Sequence, residues 1–152
     1  MNIITKFSEY IKEAVYVGKI GLDDYKFIYD PFSKSAIFDL DTKDIGKVIL
    51  EIKGDGKVES GEYNNFRIFS PQNIGFDVKI ATDKVVYILN KNRLGYKFSI
   101  SNIVEPKYGL SPYSIISSDK PLKMEKFEQL ASSTKSINNM VKKNGGFDQF
   151  TF

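Results

Sequence analysis

The stretch that decides the fold class reads YKFIYDPFSKSAIF and covers residues 25–38. Two runs rich in aromatic and β-branched residues, 25–29 and 35–38, flank a short segment that contains Pro31. Proline favours a turn at such a position, and two strand-forming runs joined by a turn are typical of a β-hairpin. The stretch therefore predicts two neighbouring antiparallel strands.

Similar short runs continue on both sides of this hairpin, and they predict further strands at 15–17, 48–52, 66–69, 76–80, 85–89 and 96–100. Apolar and polar residues alternate most clearly in 76–80. This alternation places Phe76, Val78 and Ile80 on a buried face and Asp77 and Lys79 on an exposed one. The predicted fold is mainly β (α+β), with an antiparallel sheet of seven or eight strands within residues 14–100, arranged as a sandwich or half-barrel.

Both ends of the chain show helical spacing instead. Apolar residues recur every three or four positions within 1–13, which predicts a short amphipathic N-terminal helix. The same period appears after residue 126, so a longer C-terminal helix is expected, with Phe127, Leu130 and Ile137 packed against the sheet. The predicted organisation is an N-terminal segment 1–13, a β-rich domain 14–143 with its C-terminal helix, and a Phe-rich tail 144–152.

The chain has no cysteine and no histidine. This excludes zinc sites of the usual Cys/His type, thiol nucleophiles and triads that depend on histidine. The remaining possibilities are carboxylate, lysine, tyrosine or serine chemistry, and the sequence predicts no cofactor. Whether the protein is an enzyme stays open at this point.

The net charge is +3, and its distribution argues against a nucleic-acid partner. Residues 1–105 carry 15 basic and 15 acidic side chains, so the whole excess lies in 106–152, with seven lysines against four acidic residues. Nucleic-acid binding usually requires denser clustering of Lys and Arg. No apolar run approaches the length that crosses a bilayer, so no membrane partner is expected.

Carboxylates gather in two places. Asp39, Asp41 and Asp44 are spaced so that they might ligate a metal, but they lack the EF-hand pattern, and a solvated turn is the preferred interpretation. Glu59 and Glu62 lie three residues apart in what is expected to be a surface loop. The run GDGK at 54–57 lacks the spacing of a phosphate-binding loop and predicts a hairpin turn. The sequence thus predicts no catalytic residue and no metal ligand.

The N-terminal segment carries a more specific signal at Ile11, Glu13 and Ala14. An amphipathic helix that ends in Ile-x-Glu before a small residue resembles the head-targeting segments of internal proteins of T-even-type bacteriophages. The resemblance implies that residues 1–13 carry the protein into the prohead, and that the prohead protease then cuts after Glu13. Two other copies of Ile-x-Glu end at Glu51 and Glu105, but Ile and Pro follow them. The alternative is an ordinary N-terminal helix that packs on the sheet.

The C-terminal tail carries Phe147, Phe150 and Phe152 after two glycines. It resembles the Phe-rich peptides with which T-even-type phage polymerases and late-transcription factors bind the sliding clamp. The resemblance implies a flexible leader followed by aromatic anchors for an apolar pocket. The alternative is a tail that folds back onto the protein's own core.

Three classes of function follow. The first is a head-packaged phage protein, located in the virion head and then in the host cytoplasm, whose partners are prohead components or a host defence protein. The second is an accessory factor of phage replication or transcription that is tethered to the sliding clamp. The third is an enzyme that uses carboxylates, for which a concave pocket joining Asp39, Asp41 or Glu59 is expected. The sequence favours the first class.

Overall fold

The computed structural model describes residues 14–56, 61–72, 77–104, 111–134 and 137–142. In these ranges the chain forms eight strands and two helices. The strands are β1 Ala14–Ile20, β2 Asp23–Asp30, β3 Ser35–Thr42, β4 Gly46–Gly54, β5 Tyr63–Phe69, β6 Phe98–Val104, β7 Tyr113–Leu122 and β8 Ile137–Lys142. The helices are α1 Val78–Leu89 and α2 Lys126–Ser132. The predicted N-terminal helix lies outside the described residues.

All eight strands belong to one sheet, in the order β6-β7-β5-β4-β3-β2-β1-β8. Each neighbouring pair is antiparallel. The first five strands follow one another as a meander, β7 pairs with β5, and β8 returns to pair with β1 at the opposite edge. The predicted fold class, mainly β (α+β) with an antiparallel sheet, is confirmed, but the described strands form one open sheet and not a sandwich of two.

The hairpin predicted from residues 25–38 is formed by β2 and β3. Ile28 pairs with Ile37 across the two strands. Asp30 closes the turn: its carboxylate accepts a hydrogen bond from the backbone N–H of Phe32 at 2.9 Å and one from the Ser33 hydroxyl at 2.8 Å. Short polar side chains that bond the backbone two residues ahead stabilise such turns, so the local sequence accounts for this hairpin.

Both helices cover the same side of the sheet, which we call the inner face. Side chains that alternate along the strands meet α1 and α2 there and form one continuous core. Phe66 of β5 and Phe127 of α2 are fully buried in it, with their rings edge to face at 5.1 Å between centroids. Each such side chain contributes roughly 1.5–3 kcal/mol by leaving water, so this face supplies most of the stability.

The prediction of strands at 76–80 and 85–89 is wrong, because residues 78–89 form helix α1. Asp77 caps its start by accepting a hydrogen bond from the Ile80 N–H at 3.0 Å. Val78 is buried and Asp77 and Lys79 are exposed as expected, but Ile80 is only partly buried, and Phe76 lies outside the described residues. Helical rather than alternate spacing relates the buried positions, which are Val78, Ala81, Thr82, Val85, Ile88 and Leu89.

The prediction of a longer C-terminal helix is also wrong, since α2 ends at Ser132 and Ile137 belongs to strand β8. The hydroxyls of Ser133 and Thr134 donate to the backbone carbonyl of Leu130 at 3.0 and 2.9 Å. Side chains that bond back to the preceding turn compete with helix continuation, so this polar run ends α2. Phe127 and Leu130 do pack into the core as predicted.

Strand β7 was not predicted at all, because serines occupy its inner face. Ser114, Ile116 and Ser118 alternate along it and are all buried. The Ser114 hydroxyl shares a hydrogen bond of 2.7 Å with the hydroxyl of Thr82 on α1, which satisfies both buried groups. The described part of residues 14–100 consequently holds five whole strands and the start of β6, and the sheet is completed by 101–142.

Candidate functional site

The face of the sheet opposite the helices, here called the outer face, carries the most distinctive surface chemistry of the described residues. Along each strand, the side chains of the outer face alternate with the core side chains of the inner face. They divide into two groups along β1–β4. At one end lies a charged depression, and at the other an apolar patch.

The charged depression is a concavity of about 360 Å³ near the β1–β2 and β3–β4 turns. Its ionisable lining residues are Lys19, Asp24, Lys26, Asp39, Asp41 and Lys47. Three lysines balance three aspartates, so its formal charge is zero. The register of the sheet explains the alternation of sign, since Asp39 pairs with Lys26 across one strand boundary and Asp41 with Lys47 across the next.

Asp39 is the electrostatically unusual group of this depression. Partial burial raises the pKa of its carboxyl above the ordinary value, although Lys26 and Lys47 act in the opposite direction. The neighbouring Asp41 adds to the rise, because a second negative charge disfavours ionisation. Asp39 therefore retains a proton to higher pH than a typical aspartic acid.

This depression brings together two of the three carboxylates that the sequence analysis associated with an enzyme. Asp39 and Asp41 lie two residues apart on β3 and line the same concavity. Two carboxyls that lie close together in different environments are the usual arrangement for general acid and base catalysis. Glu59 lies outside the described residues, and Glu62 precedes β5 without lining this site.

Asp44 is separated from these carboxylates. Its carboxylate forms an ion pair with the ammonium group of Lys84 on α1 at 3.3 Å. The carboxylate of Asp23 forms a second ion pair with the same ammonium group at 2.5 Å. The Asp23 side chain also accepts a hydrogen bond from the Lys43 N–H at 2.9 Å. These bonds tie α1 to two turns of the sheet. In the described part of the chain, no group of three acidic residues is placed to hold a metal ion.

The Asp23–Lys84 pair shifts both titrations. The hydrogen bond from Lys84 lowers the pKa of the Asp23 carboxyl, and the same bond raises the pKa of the Lys84 ammonium group. Each charged form stabilises the other, against the cost of taking both out of water. The pair is part of the scaffold, because it joins α1 to the end of the sheet.

The predicted turn at 54–57 is described as far as Gly56. The Asp55 N–H donates to the carbonyl of Asn65 at 2.9 Å, as expected for the connection of β4 to β5, and Gly56 has a φ of 82°. A Cβ on Gly54 would lie 2.6 Å from the ring of Tyr63, so glycine is required where these strands approach. Gly54 is the last residue of β4 and pairs with Phe66, so the strand continues into the segment that was predicted to be the turn.

The apolar patch consists of Val15, Ile28, Ile37 and Ile49, with Val17 at its margin. The first four are at most 6 % exposed, and Ile28 is completely buried. Neither α1 nor α2 contributes a residue to this cluster. It was not predicted from the sequence.

Most of the functional residues predicted at the two ends of the chain lie outside the residues that the structure describes. Ile11, Glu13, Phe147, Phe150 and Phe152 lie there, so both the processing site and the clamp-binding tail stay predictions. Ala14 is described and is the first residue of β1. It pairs with Lys142, the last residue of β8, so the segments 1–13 and 143–152 leave the sheet from the same corner.

Comparison with protein-family models, with curated proteins and with solved structures finds no match for this chain. No helix in the described ranges is long and apolar enough to cross a membrane.

Proposed function

We propose that this protein is a head-packaged internal protein of a T-even-type bacteriophage, which loses residues 1–13 and then binds a host defence protein. The feature that supports it most is the Ile-x-Glu motif at 11–13, which is followed directly by Ala14 of strand β1. A cut after Glu13 would leave all eight strands of the described sheet intact. The processed chain would then reach the host cytoplasm from the virion head.

The outer face is the surface that we assign to the protein partner. Its depression offers three ammonium groups and three carboxylates in alternation, and the adjoining patch holds aliphatic side chains that are at most 6 % exposed. Protein interfaces combine an apolar centre with a polar rim, and complementary charges fix their orientation. A surface with no net positive charge also disfavours nucleic acid, whose recognition depends on neutralising phosphates.

The Ile-x-Glu copy that ends at Glu51 supports the choice of Glu13. Ile49 and Glu51 belong to β4, which has strands on both sides. A protease needs its substrate in an extended, unpaired form, and opening a strand inside the sheet costs a large part of the folding free energy. Glu13 is not among the residues of the eight described strands.

Mass spectrometry of purified virions tests the packaging and the cut together. We expect a chain that begins at Ala14. The Glu13→Ala variant should be packaged with its first thirteen residues still attached, whereas the matched Glu105→Ala variant should be processed normally. Absence of the protein from the virion, or a full-length chain there in the unsubstituted phage, would overturn the proposal.

A second function, an enzyme that uses Asp39 and Asp41, is favoured by one observation, namely that both carboxyls line one concavity and Asp39 has a raised pKa. Its measurable consequence is a substrate whose turnover depends on both groups. We expect Asp39→Asn and Asp41→Asn each to abolish such turnover with the fold intact. Asp24→Asn, at the rim of the same depression, serves as the control.

A further inference from the structure

The apolar patch of the outer face has more burial than the described elements explain. Ile28 is 0 % exposed, and Ile37 is 5 % exposed. Neighbouring strands shield the flanks of a side chain on a sheet, but its tip is removed from water only by another layer. Both described helices lie on the inner face, so neither supplies that layer.

We propose that residues 1–13 dock on this patch as an amphipathic helix and cover it until they are removed. The segment enters the sheet at Ala14, one residue before Val15 of the patch. It therefore starts at the margin of the surface that needs a cover.

The dimensions of the segment fit the patch. Thirteen helical residues span about 20 Å at 1.5 Å per residue. The patch crosses β1 to β4, which is three strand spacings or about 14 Å. A helix of this length crosses the whole patch and stays on it.

The chemistry of the segment fits as well. Its apolar side chains share one helical stripe and are Ile3, Ile4, Phe7, Tyr10 and Ile11. Lys6, Glu9, Lys12 and Glu13 fall between them, so the opposite side of such a helix is polar. Aliphatic side chains on the sheet thus meet aliphatic and aromatic ones on the helix.

The tail is the competing occupant, because 143–152 leave from the same corner. It has three phenylalanines, but two glycines precede them and Asp148 lies between the first two, and glycine weakens any ordered docking segment. The N-terminal segment offers five apolar residues on one stripe. We therefore assign the patch to residues 1–13.

The consequence concerns partner binding, and it rests on the proposed function. Removal of residues 1–13 uncovers the patch beside the charged depression. The protein would then bind its partner only after processing. Docking itself does not require cleavage, so it can be tested on the purified, uncut chain.

The reaction rate of one introduced thiol can measure whether the patch is covered, because the chain has no cysteine of its own. In the full chain, Ile37→Cys should react slowly with a thiol reagent. Adding Phe7→Asp should raise that rate at least tenfold, whereas Lys6→Asp, on the polar side of the helix, should leave it unchanged. A thiol on the inner face, Val48→Cys, should stay protected in every case, which shows that the core remains folded.

Three results would overturn the assignment. The first is a fast reaction of the Ile37→Cys thiol when residues 1–13 are unsubstituted. The second is a reaction rate of this thiol that Phe7→Asp does not change. The third is a thiol that becomes reactive with Phe150→Asp instead of Phe7→Asp. If the thiol variant does not fold, binding of an apolar dye by the cysteine-free Phe7→Asp chain gives the same answer, with Lys6→Asp as reference. A docked segment that is never cut in virions would refute the proposed function alone.

Discussion

The two faces of the sheet are built from the same strands but differ in what they bury. The inner face packs two helices over a continuous core of aromatic and aliphatic side chains. The outer face has a small apolar patch and a depression of balanced charges. One side of the molecule therefore carries most of its stability, and the other carries the surface that we propose for recognition. Substitutions should separate these roles.

Phe127→Ala should have the largest effect. Phe127 is fully buried between Phe66 and Phe98, with ring centroids at 5.1 and 6.0 Å. Removing a buried phenylalanine leaves a cavity and costs about 3–5 kcal/mol. Urea unfolding followed by circular dichroism measures the loss. Phe32→Ala, at an exposed turn, should change the free energy of unfolding by less than about 0.5 kcal/mol. Equal losses would mean that the inner face does not dominate stability.

Asp23→Asn should rank second. It removes the ionic partner that Lys84 holds at 2.5 Å in a largely buried position, and hydrogen bonds to charged groups contribute about 1.5–3 kcal/mol. The neighbouring Asp24 pairs with Lys19 at 2.8 Å, but both side chains are more than half exposed. Asp24→Asn should therefore cost less than about 1 kcal/mol.

The same pair predicts a pH dependence. Because the folded state lowers the pKa of Asp23, its contribution is complete above the unfolded pKa of about 4 and is lost as the pH falls through the folded value. Thermal unfolding between pH 7 and pH 2 should show a steeper loss for the unsubstituted protein than for Asp23→Asn. Parallel curves would exclude this linkage.

The hairpin and the early meander were predictable because their signals are local. Turn chemistry at Asp30 and alternation in β2 and β3 depend on residues next to each other in the chain. Helix α1 was missed because β-branched residues resemble a strand, although Asp77 and the spacing after it carry a helix signal. Strand β7 was hidden by its buried serines, and the partner of Ser114, Thr82, is 32 residues away.

The candidate site was predictable only in part, for the same reason. Asp39 and Asp41 were recognised as a cluster, but their companions Lys26 and Lys47 come from neighbouring strands. Only the register of the sheet brings them together. Asp44 was grouped with them by sequence distance, and the turn directs it to Lys84 instead.

Thr82→Val should have a smaller effect than the changes at Phe127 and Asp23. It keeps the shape of the side chain but leaves the Ser114 hydroxyl without its buried partner, which costs about 1–2 kcal/mol. The double variant with Ser114→Ala should recover part of that loss, since neither polar group then remains. A double-mutant cycle measured by urea unfolding gives the coupling. Strictly additive losses would show that the bond does not join α1 to β7.

Asp39→Asn should have the smallest effect on stability and the opposite sign. Because burial raises the folded pKa of this acid, ionisation opposes folding once the pH exceeds the unfolded value of about 4. The amide removes that penalty, so at pH 7 the protein should gain up to about 1 kcal/mol and at pH 3 it should gain nothing. A loss of stability at pH 7 would place Asp39 in the scaffold rather than on the recognition surface.

The pairing of β1 with β8 governs when the sheet can be completed during synthesis. Ala14 and Lys142 are neighbours in space although 128 positions separate them in the chain. The meander can form while the ribosome is still translating, because its contacts are local. Until the last strand emerges, β1 remains an unpaired edge, and such edges recruit strands from other chains. Slow translation of the final third would therefore prolong the aggregation-prone stage, whereas a pause before residue 56 would have little effect.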